Sequence, residues 1–380
     1  MGKQLPLKLG NAQARQMHCG IMAVSPLSSH ATMHAIPAEP LHLQSLAHTL
    51  AAHASLPPMA LLHVLIQQGL DRPALPGAGA TLQRWRALAM VGAHDLSLAK
   101  FYEGHTDAVA ILAELNGPAP APGSAWGVWC AEPPEARLQL LRDADGACYL
   151  HGAKAWCSGA HNLTHALVSC WTSAGQACLA AVDLRQPQVA VSADGWAAVG
   201  MRDSASVDVH FDRAPAQALG EPGDYVDRPG FWHGGAGVAA CWYGAASTLA
   251  ARLWDACAQA DAAAQAAPDA ALRLAQLGEI DVALSTCAAL LRQCAQQFDR
   301  QPGAKAMDDA LRVRLAVEAA ATAVLALATR ALGAGPLCKD GRLARMVADL
   351  PVFLRQSHGQ RDLAALGRRI SCQERAPWSL

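Results

Sequence analysis

The hydrophobic pattern of the chain changes its period twice, and this restricts the fold more than any other feature. From Pro40 to Leu115 apolar residues recur at i, i+3, i+4 and i+7, as in amphipathic helices. After the proline- and glycine-rich stretch "NGPAPAPGSA" they alternate, as they do in strands. Near Gly230 the helical period returns. The chain should therefore carry a β segment between two helical ones.

This pattern predicts an α+β multidomain protein. We expect a flexible tail over residues 1–39, an N-terminal helical domain over 40–122 and a small β-barrel or sandwich over 123–229. A four-helix-type bundle should follow over 230–380. About six to eight short strands fit the β segment.

Composition excludes several classes of function. Hydrophobic residues make up 52% of the 380 residues, and 30 basic residues nearly balance 31 acidic ones. Such a surface attracts neither nucleic acid nor an anionic membrane, and no uninterrupted apolar run reaches the roughly 18 residues of a membrane span. The twelve cysteines form no C-x-x-C pair, so we expect reduced thiols in a cytoplasmic protein and no metal site.

Four motifs follow one another along these segments. They are "WCAEP" from Trp129, "LHGAKAWCSGA" from Leu150, "GMRDSASVDVHFDRAP" from Gly200 and "RALGAG" from Arg330. In this order they resemble the acyl-CoA dehydrogenase family, over about residues 40–369. The resemblance implies an FAD-binding flavoprotein, usually a homotetramer, that oxidises acyl-CoA thioesters and passes electrons to an electron-transfer flavoprotein.

The resemblance also assigns residues to the flavin. A flavin ring needs an apolar or aromatic wall and a few polar groups near N5 and O4. By resemblance, Trp156 stacks against the ring, Ser158 donates a hydrogen bond toward N5 or O4, and the backbone of Val128 and Cys130 meets the pyrimidine end. Ala131 stands where the family has a threonine, so one hydroxyl near N5 is missing.

Two further regions bear on cofactor and substrate. The resemblance implies that the loop from Gly333 to Gly335 meets the adenosine-diphosphate part of a neighbouring subunit's FAD, with Arg330 just before it as a stand-in for the family's phosphate-binding arginine. The family also has an arginine motif after the first long C-terminal helix, which binds the cofactor phosphates. This chain lacks that motif, and Arg273 is the alternative to Arg330 as its replacement. After the Glu-Pro turn, residues 134–137 replace a Gly-Ser-Asp sequence that shapes the acyl tunnel in the family.

The position of the catalytic base departs most clearly from the family. An acyl-CoA dehydrogenase uses a carboxylate to remove the substrate α-proton. By resemblance that glutamate comes eight residues after Asp349, where this chain has Ser357 followed by His358. His358 is then the substitute that can shuttle protons near neutral pH, and Glu103 and Glu318 are the alternatives elsewhere in the chain.

We therefore interpret the chain as a divergent member that lacks the usual catalytic glutamate. Three functions stay open: an FAD-dependent acyl-CoA dehydrogenase-like enzyme with an atypical or lost base, a flavin-dependent monooxygenase or oxidase of the same fold, and a non-catalytic homologue. The expected partners are a small-molecule substrate, an acyl thioester in the first case, and further copies of the chain as a homodimer or homotetramer.

Overall fold

The computed structural model describes residues 41–133, 137–260 and 269–378. The tail predicted over residues 1–39 lies outside the described residues, as do residues 134–136 of the turn that follows the Glu-Pro pair. The compact unit Pro40–Leu380 is described below. Within it the three predicted segments pack as one unit.

The N-terminal helices begin and end where the sequence supplies caps and breakers. Pro58 occupies the first turn of the second helix, where its missing N–H costs nothing. Asp95 caps the fourth helix by accepting from Leu98 N at 2.8 Å. The helices are α1 (Leu41–Ala52), α2 (Pro58–Gln67), α3 (Thr81–His94) and α4 (Leu96–Glu114).

Seven strands follow in the described part of the chain, and they form one sheet. They are β1 (Trp126–Trp129), β2 (Gln139–Arg142), β3 (Cys148–Cys157), β4 (His165–Trp171), β5 (Ala177–Asp183), β6 (Val189–Val191) and β7 (Val207–Leu219). The order is β1-β4-β2-β3-β7-β5, and β4 also pairs with β5. This last pairing closes the sheet into a small barrel, as the alternating pattern predicts.

Helices return from residue 224 onward. They are α5 (Asp224–Asp227), α6 (Pro229–Ala258), α7 (Ala270–Arg300), α8 (Met307–Leu332), α9 (Ala334–Lys339), α10 (Gly341–Phe353) and α11 (Gln360–Ser371). The long helix α6 packs against α3, α7 and α8. A Cβ on Gly244 would lie 1.9 Å from the Ala89 carbonyl oxygen, so glycine permits the close approach of α6 to α3. A helical C-terminal region beside a small barrel-like sheet is thus confirmed.

Two of these helices, α7 and α8, are long and apolar enough to cross a membrane by length and composition. The sequence expectation missed α7 and α8 because it counted only uninterrupted apolar runs. An apolar stretch with up to two charged residues is still apolar enough to cross a membrane. Only 22% and 28% of the residues in these two stretches are buried within the chain. The core helix of a water-soluble bundle passes the same test, so the absence of a membrane partner stays a prediction.

Candidate functional site

The ends of β1 and β3 lie side by side and bring most of the predicted cofactor residues together. Trp129 Nε1, at the end of β1, donates to the Ser158 carbonyl oxygen just after β3, at 3.2 Å. Val128 lies within β1, and Cys130 and Ala131 follow it directly. Together with Trp156 and Ser158, these residues form what we call the strand-end site, which comprises Val128, Trp129, Cys130, Ala131, Trp156 and Ser158.

A buried ion pair ties the two strand ends to each other. Lys154 is fully buried, and its Nζ lies 2.6 Å from Glu132 Oε1 and 2.7 Å from Ser169 Oγ. Trp171 Nε1 donates to the other oxygen of Glu132 at 3.0 Å. Burial alone would raise the pKa of Glu132, but the hydrogen bonds from Lys154, Ser169 and Trp171 outweigh it and lower that pKa. Glu132 is therefore held as a carboxylate that fixes the turn after β1.

Trp156 is presented outward in an unusual backbone conformation. Its φ is 59°, in the left-handed region that L-residues seldom adopt, and the β3–β7 register shifts between Lys154 and Cys157. Although it lies in a strand, the Trp156 side chain is 53% exposed. Such strain is found where the surrounding structure fixes it for a purpose. An exposed aromatic face held at a strand end is the wall that a planar ring requires.

A chain of hydroxyl groups fixes the Ser158 side chain. Ser158 Oγ lies 2.7 Å from Ser206 Oγ, which lies 2.9 Å from Ser204 Oγ. Ser204 in turn donates to the Met201 carbonyl oxygen at 2.8 Å. The "GMRDS" motif therefore reaches the strand-end site through three serines. Ser204 and Ser206 were missed as site residues, because the alternating pattern shows which face they take and not which hydroxyl they meet.

Helix α10 supports that motif from the other side. Asp349 Oδ1 accepts from Met201 N at 2.5 Å, and a Cβ on Gly200 would lie 2.0 Å from the Ala348 carbonyl oxygen. Asp349 is buried, and this burial raises its pKa to about 6. The contact leaves no room for any residue but glycine at position 200.

The N-terminal helices close the strand-end site. Gly159 follows Ser158 with a φ of 72°, and a Cβ there would lie 2.8 Å from Met59 Cε and 3.0 Å from Phe101 Cε1. A Cβ on Gly104 of α4 would lie 3.7 Å from Val128 N. Helices α2 and α4 thus pack directly on the ends of the two strands.

A cavity of about 620 Å³ adjoins these contacts. Met59 lines it and touches Gly159, and Asp203 lines it next to Ser204. Arg345 bridges Asp203 at 3.0 Å and Asp95 at 3.7 Å. The titratable side chains around the cavity are His94, Asp95, Asp203, Arg342, Arg345 and Asp349. The rest of the wall is largely apolar and includes Met59, Leu61 and Leu98, so the cavity combines an apolar surface with a few charged groups.

The two residues expected at the base position point in different directions. Ser357 is buried, and its Oγ donates to Glu318 Oε2 at 2.5 Å. The other oxygen of Glu318 accepts from Arg355 at 3.2 Å. The His358 side chain is 69% exposed, and its Nδ1 lies 3.5 Å from Asp362 Oδ1. The structure therefore joins Ser357 to Glu318 and leaves His358 at the surface.

Arg314 lies near both alternative acids. Burial lowers the pKa of Arg314, and Asp362, Glu103 and Glu318 are close enough to oppose that change. Its guanidinium donates to the Gln356 carbonyl oxygen at 2.9 Å, which holds the segment that carries Ser357. Glu103 also pairs with Lys100 at 3.1 Å.

The residues expected to meet a neighbour's cofactor lie on another part of the surface. Arg330 and Gly333 are exposed at the C-terminal end of α8. The guanidinium of Arg273, the alternative residue, lies 3.6 Å from the carboxylate of Asp269, which directly precedes α7. Arg330 and Gly333 are thus accessible to a second copy of the chain, and Arg273 is half-buried.

No family model and no curated protein matches the sequence. Solved structures do match. A nitrososynthase from Micromonospora carbonacea var. africana has a TM-score of 0.74 at 18% identity, over 91% of this chain and 97% of that one. The dibenzothiophene monooxygenase TdsC from Paenibacillus sp. A11-2 has a TM-score of 0.72 at 18% identity, over 88% and 98%. TdsC also has a structure in complex with FMN and indole.

Butyryl-CoA dehydrogenase from Megasphaera elsdenii has a TM-score of 0.73 at 14% identity, over 87% of this chain and 98% of that one. Likeness at such low identity shows the fold alone, which this chain shares with the nitrososynthase, TdsC and butyryl-CoA dehydrogenase. The fold carries several chemistries, so function has to be argued from the site.

Proposed function

We propose that the chain is a flavin-dependent oxidoreductase whose flavin lies against Trp156. The observation that carries this proposal is the exposed Trp156 side chain, held by a left-handed backbone beside the fixed hydroxyl of Ser158. The residues present fit such a group, because Trp156 offers a flat wall and Ser158 a hydrogen bond at its edge. A bound flavin would supply the redox chemistry, while the protein binds it, orients it and excludes water.

The reaction class that the geometry supports best is oxygen-using, that of a monooxygenase or oxidase. Dehydrogenation of an acyl thioester needs a free carboxylate at the substrate α-carbon. Ser357 stands at the position that the resemblance gives to that base, and residues 229–254 of α6 contain no acid. Glu318 already accepts from Ser357 and Arg355.

One contact supports a second candidate, an acyl-CoA dehydrogenase with a relocated base. The 2.5 Å contact from Ser357 Oγ to Glu318 Oε2 places a carboxylate one hydroxyl away from the expected position. In this alternative Glu318 takes the substrate proton through Ser357, and an electron-transfer flavoprotein accepts the electrons. Arg355 opposes this role, because its guanidinium already occupies the other carboxylate oxygen of Glu318 at 3.2 Å.

The form of the flavin and the assembly belong to the same proposal. Arg330 and Gly333 face outward, where only a second copy of the chain would bring them to an FAD. In this proposal the adenosine-diphosphate part of FAD lies at the interface of a homodimer or homotetramer, whereas FMN has no such part. We expect the enzyme to act in the cytoplasm, given its unpaired cysteines in the described residues.

Anaerobic and aerobic reactions of the flavin-loaded protein separate the two classes. We expect butyryl- to palmitoyl-CoA to leave the visible flavin spectrum unchanged without oxygen, and chemically reduced protein to consume oxygen rapidly. Bleaching by an acyl-CoA, with turnover of about 1 per second or more, would instead support the dehydrogenase. Loss of that turnover in Glu318→Gln, but not in His358→Ala, would then assign the base.

A further inference from the structure

Cys170 and Cys178 face each other across the β4–β5 hairpin. They are directly paired in the antiparallel register, and their sulfur atoms lie 3.4 Å apart. Directly paired residues in antiparallel strands have Cα atoms about 4.5–5.5 Å apart. Disulfides join Cα atoms about 4.4–6.8 Å apart, so a bond here needs little backbone movement. Both thiols are free.

The two thiols differ in access. Cys170 is 1% exposed and Cys178 is 8% exposed, so Cys178 is the one that a small oxidant reaches first. The hydrogen bond from the Cys170 thiol and the nearby Arg142 both lower the pKa of Cys178, against the opposing effect of burial. Cys178 is itself buried, but a thiol with a lowered pKa that lies beside a second thiol has two features of oxidisable cysteine pairs.

The pair lies directly behind the contacts that hold Glu132. Ser169 and Trp171, which bind Glu132, flank Cys170 in β4. Side chains alternate along a strand, so Cys170 points to the opposite face from its two neighbours. A covalent bond at this position would join β4 to β5 beneath the turn that carries the strand-end site.

We propose that Cys170 and Cys178 form a reversible disulfide on exposure to hydrogen peroxide, a by-product of flavin-dependent oxygen chemistry. The Cys178 thiolate attacks one peroxide oxygen, the O–O bond breaks, and a sulfenic acid and one water result. The Cys170 sulfur then attacks the Cys178 sulfur, forms the S–S bond and releases a second water. Two thiols lose two electrons and two protons, and one peroxide becomes two waters.

Other buried cysteines provide internal controls. Cys157 is fully buried, and its sulfur contacts the Lys154 carbonyl oxygen at 3.2 Å. Cys287 is 3% exposed, and its sulfur contacts the Ala316 carbonyl oxygen at 3.5 Å. Both resemble Cys170 in burial and contact backbone oxygens, so peroxide should leave both as thiols while the Cys170–Cys178 bond forms.

Proteolysis of the oxidised full-length protein tests the proposal. Trypsin releases residues 155–185 as one peptide, and chymotrypsin then cuts after Trp171, between the two cysteines. After peroxide treatment and thiol blocking, we expect the two fragments to stay joined until dithiothreitol is added. Cys170→Ser and Cys178→Ser should abolish the link, and Cys157→Ser should keep it.

The exposed Cys338 and Cys372 show that the peroxide dose is sufficient. If they are oxidised while the wild-type fragments separate without reductant, the proposal is wrong. A link that persists in Cys170→Ser also overturns it. The peroxide is added from outside, so the result does not depend on whether the chain binds a flavin.

Discussion

Lys154 Nζ lies 2.6 Å from Glu132 Oε1, and this contact joins the end of β3 to the turn after β1. The lysine is fully buried, whereas Glu132 keeps 32% of its side chain exposed. A buried ammonium is tolerated only with such a partner. The contact therefore helps to hold Trp156 in β3 close to Ala131 in the turn after β1.

Removing either member of this pair should destabilise the fold. Glu132→Ala should lose more unfolding free energy than Lys154→Met. Glu132→Ala leaves a buried charge without its partner, which costs about 3–5 kcal/mol of unfolding free energy. Lys154→Met leaves a partly exposed carboxylate with two other donors, so a smaller loss is expected. Chemical denaturation measures both, with Asp183→Ala in an exposed pair as the control at about 0–1 kcal/mol. Equal, small losses in all three variants would contradict this role.

Gly159→Ala should weaken the packing of α2 and α4 on the strand ends. The added Cβ would be strained by the φ of 72° and would press on Met59 and Phe101. Gly146 has a φ of 87° with no atom within 4 Å of an added Cβ, so Gly146→Ala bears only the conformational cost of about 1 kcal/mol. We expect the first variant to lose more stability in thermal unfolding than the second. Similar losses would show that the contacts with Met59 and Phe101 give no added stability.

The contribution of Asp349 to the free energy of unfolding should fall as the pH rises. Its folded pKa of about 6 lies above the ordinary value of 3.8, so its contribution is complete below about pH 4 and is lost as the pH rises through 6. The difference of about two pH units corresponds to about 3 kcal/mol. Asp349→Asn keeps an acceptor for Met201 N and should remove this dependence, as denaturation at several pH values would show. If the free energy of unfolding depends on pH equally in Asp349→Asn and in the wild type, this role of Asp349 is wrong.

The exposed apolar face of α7 should bind a second copy of the chain. Leu274 and Val282 are 59% and 67% exposed, and they lie about two turns apart on the same side of the helix, since eight residues rotate it by about 80°. Light scattering at micromolar concentration should give a dimer or tetramer mass for the wild type and a smaller mass for Leu274→Glu. Val199→Glu, at a residue 73% exposed outside the bundle, is the matched control. A monomeric wild type would exclude this interface.

Sequence periodicity predicted the barrel and the two helical segments, because it reports which face of an element is buried. The resemblance, rather than periodicity, predicted a strand through Trp156, and β3 contains Trp156 and ends one residue before Ser158. Periodicity could not show that Lys154 pairs with Glu132, or that Ser158 meets Ser206, because these contacts join residues 22 and 48 positions apart. Such contacts depend on strand order, which periodicity does not determine.

The limits of sequence reasoning are the same at the position expected for the catalytic base. Counting along the chain located Ser357 and His358 side by side, and their types suggested His358 as the reactive group. Their directions depend on the turn before α11, where Gly359 has a φ of 51°. There Ser357 turns inward to Glu318, while His358 turns outward to Asp362.

The most direct measurement of the central claim is an equilibrium titration of the protein with FMN and with FAD, followed by flavin fluorescence. The account predicts that at least one flavin binds with quenched fluorescence, because the ring stacks on Trp156. Trp156→Ala should then bind about 10- to 100-fold more weakly, since an aromatic wall is worth on the order of 1–3 kcal/mol. Trp254→Ala, at a tryptophan 58% exposed on α6, should bind as the wild type does. Failure of both flavins to bind the folded wild-type protein, or equal binding by Trp156→Ala, would contradict the account.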